Sequence, residues 1–212
     1  MNVKNQASLF DEPEIIEPVR EILNTELYPV AAHPGIVLTI RGTNGSGKST
    51  LMRRICDLLG NRESRFIPGR GNPYFYEYER GCVLGSYESM AGGCDTIKTV
   101  AEVYELVKML ALSGRNVIFE GLLHSCDVIH TEKLPLKVNM LYLSTSKEEC
   151  IESVKRRRIE GGNQKEFDPS NLSAKYGAVI ASIPRVKKLS NAEVFVLSRE
   201  DAFLKAKEIL GL

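Results

Sequence analysis

The stretch that most constrains this chain is Gly42 to Ser49, G-T-N-G-S-G-K-S, set between the apolar run GIVLTIR and the segment LMRRICDLLG. It satisfies G-x-x-x-x-G-K-[ST] at every fixed position. The run before it is short and rich in β-branched residues, as a buried strand is, while Leu51, Ile55, Leu58 and Leu59 fall on one helical face. Strand, glycine loop and helix is the order that lets backbone N–H groups turn inward around phosphate at a positive helix N-terminus. Gly42, Thr43, Asn44, Gly45, Ser46, Gly47, Lys48, Ser49 and Thr50 are therefore the candidate nucleotide-phosphate residues. Lys48 reaches the β- and γ-oxygens, and Ser49 offers its hydroxyl to Mg²⁺.

The rest of the chain supports an α/β domain around that loop. YFYEYERGCVLGSY alternates around Arg80-Gly81 and reads as a hairpin. TIKTVAEVYELVKMLALSG reads as a helix capped by Thr99 and ended by Gly114, followed at once by the strand NVIFE. Then come the strand LKVNMLYLS, the helix SKEECIESVKRRRIE capped by Ser146, the polar loop GGNQKEFDPSN, the strand EVFVLS and the helix EDAFLKAKEIL. Repeated β-then-α order predicts a parallel sheet covered on both faces. Residues 1–30 read as an acidic arm with one short helix in VREILNTEL, and 31–212 as the domain itself.

Composition excludes several classes. Apolar residues make up 43% of the 212 and charged residues 26%, proportions that fit neither disorder nor a fibrous repeat. The apolar runs are far short of a membrane span, and the N-terminus lacks the basic-then-apolar order of a signal peptide. Five cysteines without a C-x-x-C pair suit a reduced cytoplasmic compartment. Charge is uneven: residues 1–30 carry six acids and two bases, whereas 151–190 carry nine bases and four acids. Such a basic segment can gather phosphates, or can simply be a solvated helix face.

Four further groups are candidates for chemistry. Glu120 closes NVIFE, where the carboxyl end of a second parallel strand would place it beside the loop, able to hold Mg²⁺ or an attacking hydroxyl. Arg156, Arg157 and Arg158 end a helix before a glycine-containing loop; they either complement the helix dipole or belong to a lid over a transferring phosphoryl group. In GSYESMAGGCDTI, Asp95 can accept a hydroxyl proton or cap the following helix, and Tyr87 can stack on a ring or fill the core. Arg70, Arg80 and Tyr74 are weaker candidates for substrate contact. His33, His124 and His130 have no metal spacing, and no role follows for them.

These residues together resemble the P-loop kinases, the group that includes nucleoside-monophosphate kinases, over roughly 35–212. The resemblance implies a five-stranded parallel core with helices on both faces, ATP with Mg²⁺, an acceptor site over the strand ends, and an arginine-bearing lid at about 156–172. It maps Gly42–Ser49 onto the phosphate loop, Arg156–Arg158 onto the lid helix and Glu120 onto the acid after the second core strand; taken with the residue readings above, Lys48, Asp95, Glu120 and Arg157 are the catalytic candidates, Arg156 and Arg158 the candidates for ATP, and Ser49 and Glu120 those for the metal. Many members carry Asp where Glu120 stands. More narrowly, RGTNGSGKST, GSYESMAGGCDTI and NVIFEGLL are similar to phage-encoded kinases that phosphorylate 5-hydroxymethyluracil in DNA. The acceptor would then be a primary alcohol projecting into the major groove, with Arg70, Arg80, Tyr87 and Asp95 on the substrate and the basic 151–190 segment on the DNA backbone. A free nucleotide or small metabolite is the alternative acceptor. An ATP-hydrolysing motor or switch is the alternative class, but the chain lacks L-S-G-G-Q and an Asp-Glu pair after NVIF.

Overall fold

The computed structural model describes residues 27–67, 69–88, 92–163 and 165–212. The arm helix expected in VREILNTEL lies almost wholly outside the described residues. The strands are β1 (Val37–Arg41), β2 (Arg62–Arg65), β3 (Phe75–Tyr78), β4 (Gly81–Leu84), β5 (Val117–Glu120), β6 (Val138–Leu143) and β7 (Ala192–Leu197). The helices are α1 (Lys48–Cys56), α2 (Val100–Leu112), α3 (Ile129–Lys133), α4 (Lys147–Glu160), α5 (Ser170–Val186) and α6 (Arg199–Leu210). They form one mixed sheet in the order β2-β3-β4-β5-β1-β6-β7.

The sheet corrects the expectation of five strands. Five strands, β4-β5-β1-β6-β7, do run parallel, but β2 and β3 extend the sheet to seven through antiparallel pairing. The short Glu79-Arg80 turn forces β3 and β4 antiparallel, because a parallel partner needs a long crossover. Edge strand β2 reads Arg-Glu-Ser-Arg and is mostly exposed, so it carries no apolar alternation. Arg65 and Arg115 both pair with Glu77 of β3, at 2.7 and 2.6 Å.

Alternation along the central strands builds two cores. Val37, Val117, Phe119, Val138 and Met140 pack with α2 and α5 on one face. Leu38, Ile40, Ile118 and Leu141 pack with α1 and α6 on the other. The helix starts match the sequence expectations: Thr99 accepts the Glu102 N–H, and Ser146 forms a reciprocal capping box with Glu149. Gly114, at φ +85°, follows the end of α2. Among the described residues no helix is long and apolar enough to cross a membrane.

Two features have no counterpart in the sequence expectations. Helix α5 contains Gly177 and Pro184, and its buried residues are Leu172, Val179, Ser182 and Val186. Arg41, the last residue of β1, is fully buried, and its guanidinium donates to Asp127 O (2.8 Å), Tyr142 Oη (3.1 Å), Tyr104 Oη (3.1 Å) and Thr131 Oγ1 (2.8 Å). Its two terminal nitrogens are thus bonded while Nε has no partner, and a buried cation is tolerated when most of its N–H groups are satisfied in this way. The consequence of the parallel order is that the loops after β1, β4, β5, β6 and β7 share one edge of the sheet, where ligands of such sheets bind.

Candidate active site

The glycine loop leaves β1 and enters α1 at Lys48. Gly45 (φ +80°) and Gly47 (φ +99°) hold left-handed backbone. A side chain at Gly45 would also collide with the Cys150 carbonyl, and one at Gly47 with the Arg199 side chain. Lys48 is buried, with Nζ donating to the Thr43 carbonyl at 3.1 Å, which directs the ammonium over the loop. The hydroxyls of Thr43 and Ser46 are buried with no hydrogen-bond partner. Unpartnered buried hydroxyls are costly, and a cradle of inward donors around a lysine fits an oxygen-rich anion.

Glu120 stands beside this loop because β5 pairs in register with β1, Ile40 opposite Glu120. It is 2% exposed, and its Oε1 accepts Ser49 Oγ–H at 2.8 Å and Tyr87 Oη–H at 3.5 Å. Burial pushes its carboxyl above the usual range, opposed by the Lys48 charge and the Ser49 hydrogen bond. Burial likewise lowers the Lys48 ammonium, opposed by Glu120 and Asp95. Among the described residues no three His, Cys, Asp or Glu side chains could hold a metal by themselves. One hydroxyl and one carboxylate fit Mg²⁺ shared with the oxygens of a bound polyphosphate.

Asp95 lies on a single 3-10 turn, Cys94–Thr96, after Gly93. It does not cap α2, since Thr99 does; instead its carboxylate accepts the Leu122 N–H, at 3.0 Å from each oxygen. Gly93 (φ +84°) lies so close to Glu120 that a side chain there would meet Oε1 at 2.7 Å. The Gly92–Asp95 segment is thereby pressed against the end of β5.

These elements enclose a cleft of about 660 Å³. Of the sequence candidates, it brings together Asn44, Gly45, Gly47, Lys48, Ser49, Thr50, Asp95, Glu120, Arg156 and Arg157. Arg158 turns away, its guanidinium over the Phe167 ring at 5.5 Å, in a smaller neighbouring hollow that also contains Asn44. Tyr87 is half-buried against Tyr76, behind Glu120. Tyr74 is buried and donates to Glu102 at 3.1 Å, while Arg70 lies over the Tyr74 ring. Arg80 sits in the β3–β4 turn, where β4 begins, away from the strand ends that carry the cleft.

The cleft also holds Arg53 and Arg199, which the sequence reading passed over. Arg53 is four residues beyond Ser49 on α1, hence on the same helix face. Arg199 opens α6, one residue past the end of β7, at the same edge of the sheet as Glu120. Chemically the cleft gathers Lys48, Arg53, Arg156, Arg157 and Arg199 against Asp95, Glu120 and Glu160. That arrangement can hold a polyanion with a divalent cation and set a carboxylate beside it.

Fold and cleft together define an α/β protein suited to a phosphorylated ligand. No protein-family model matches the chain. Two phage proteins do: a 5-hmdU DNA kinase of Pseudomonas phage PaMx11, 38% identical over 82% of this chain and 96% of the relative, and a 5-hmdU DNA kinase of Delftia phage PhiW-14, 26% identical over 72% of this chain and 64% of the relative. The chain belongs to the 5-hmdU DNA kinase family of phages, and it is a kinase.

Proposed function

We propose that this protein is a P-loop kinase that transfers the γ-phosphate of ATP, with Mg²⁺, to the hydroxymethyl group of 5-hydroxymethyluracil in DNA. The observation that carries the reading is the Ser49–Glu120 pair beside buried Lys48, lining one cleft with Asp95, in a chain of this family. Backbone N–H groups of Gly42–Ser49 and the Lys48 ammonium would hold the β- and γ-phosphates. Ser49 and Glu120 would hold Mg²⁺, whose charge, when bound, offsets the negative charge on the phosphates. Arg156 and Arg157 of α4 close over the γ-oxygens and exclude water. Asp95 accepts the proton of the acceptor hydroxyl as that oxygen bonds to phosphorus and the bond from phosphorus to the β-phosphate oxygen breaks. Arg158, stacked on Phe167, contributes to the shape of the lid.

Lys155, Lys165, Lys175 and Arg185 on or between α4 and α5, with Lys187 and Lys188 just past the end of α5, are all exposed and are the best candidates for the DNA backbone. The test is label transfer from γ-labelled ATP in the presence of competing free nucleotides and increasing salt. The reading predicts label on 5-hydroxymethyluracil-containing DNA, no competition by mononucleotides, and a steep loss with salt. Label moving to a mononucleotide, with little salt dependence, would replace the DNA acceptor by a metabolic one.

A further inference from the structure

The peptide unit between Gly121 and Leu122 is gripped from both sides. Its carbonyl accepts Ser125 Oγ–H at 2.7 Å, and its N–H points at the Asp95 carboxylate, 3.0 Å from each oxygen. Ser125 Oγ in turn accepts the backbone N–H of Gly42, the first residue of the phosphate loop, at 3.1 Å. One series of hydrogen bonds thus runs from Gly42 N–H through the Ser125 hydroxyl and a single peptide plane to Asp95. A peptide unit is rigid, so moving either end tilts the other, and bonds in series polarise one another. A serine that served its own turn would need the local bond to Gly121 alone; the bond from Gly42, 83 residues away, is what ties that turn to the loop.

The surroundings hold this series in place. Ser125 is fully buried. Arg41, next to Gly42, donates to the Asp127 carbonyl just past Ser125 at 2.8 Å. At Gly121, a side chain would come within 2.6 Å of His124 Nδ1 and 3.2 Å of Asp95 Oδ1, so the bare backbone leaves the carboxylate its path to Leu122.

We infer that Ser125 is a positioning residue that keeps the phosphate loop and Asp95 in register for transfer. The inference rests on the phosphotransfer reading above, and its test separates the two. S125A should lower kcat on 5-hydroxymethyluracil DNA about 10- to 100-fold while KM for ATP stays within about threefold, since misplacing reactive groups costs rate more than binding. In the same variant the Gly42 and Leu122 amides should exchange with deuterium faster. S125T, which keeps the hydroxyl, should return kcat to within about threefold of the wild type. Wild-type kcat in S125A, or a folded S125T as slow as S125A, would overturn the inference. Should S125A not fold, S125C, whose thiol bonds weakly, replaces it with the same expectations. If the wild type transfers nothing to this DNA, the acceptor reading fails; amide exchange still decides for Ser125, unchanged protection at Leu122 overturning it.

Discussion

The floor and the α4 wall of the cleft both carry charge, but they carry it differently. On the floor, Lys48 at the start of α1 and Glu120 at the end of β5 are both buried, and the Ser49–Glu120 bond is 2.8 Å long. On the wall, Arg156 and Arg157 are exposed, and Arg156 has Glu160, one turn along α4, at 3.9 Å. Buried charges act at low dielectric and need no rearrangement when charge develops, whereas exposed ones are screened and free to move. The floor is therefore suited to the chemical step and the wall to capture and closure.

The sharpest test of that contrast is Lys48→Ala, expected to cost about 10³-fold or more in kcat with little change in melting temperature, because it removes a preorganised charge from the floor. Glu120→Gln should cost about 10²- to 10³-fold and raise the Mg²⁺ concentration needed; a normal Mg²⁺ titration at full rate would break the floor assignment. Burial beneath the floor also predicts a pH effect. His124 is 2% exposed with both ring nitrogens unpartnered, and burial holds its imidazole down at about 4, below 6.5. As pH falls below about 6.5 the unfolded chain takes up a proton that the folded chain refuses, so stability present above that pH is lost on acidification, about 3 kcal/mol by about pH 4. Urea unfolding from pH 7 to 4 should show this slope, and His124→Phe should flatten it.

The wall should respond more mildly. Arg157→Ala and Arg156→Ala should each lower kcat about 10- to 100-fold, with the loss shrinking in high salt. Losses as large as that of Lys48→Ala would place the wall in the chemical step as well. The smallest effect is expected at Arg158→Ala: under about threefold in rate, with about 0.5–1 kcal/mol lost from its stacking on Phe167, visible as a lower melting temperature.

The same two regions differ in how far the sequence discloses them. The floor is legible because its donor half is contiguous: Gly42–Ser49 is one motif, and Glu120 follows from strand-end logic. Strands β1, β5, β6 and β7 follow from apolar runs alternating with helices, and β4 from the hairpin pattern around Arg80-Gly81. Strand β2 is not legible, since Arg-Glu-Ser-Arg at an exposed edge has no buried face to leave a pattern. Helix α5 is hidden by Gly177 and Pro184. Arg158 cannot be told from Arg156 and Arg157 by sequence, because successive helical residues diverge in direction and only the position of Phe167 decides which one is taken away. Asp95 and Thr99 both had cap-compatible side chains; the fold gave the cap to Thr99 and left Asp95 to the Leu122 amide. Ser125 and Arg199 acquire their places through contacts distant in sequence, which no local spacing records.

The central claim is that this floor performs phosphoryl transfer to a modified base in DNA. Its most direct test incubates wild type and Lys48→Ala with γ-labelled ATP, Mg²⁺ and matched DNAs with and without 5-hydroxymethyluracil. The account predicts label in the modified DNA with the wild type, none in ordinary DNA, and none from a folded Lys48→Ala protein. Equal labelling by the variant, or label in both DNAs alike, would contradict it.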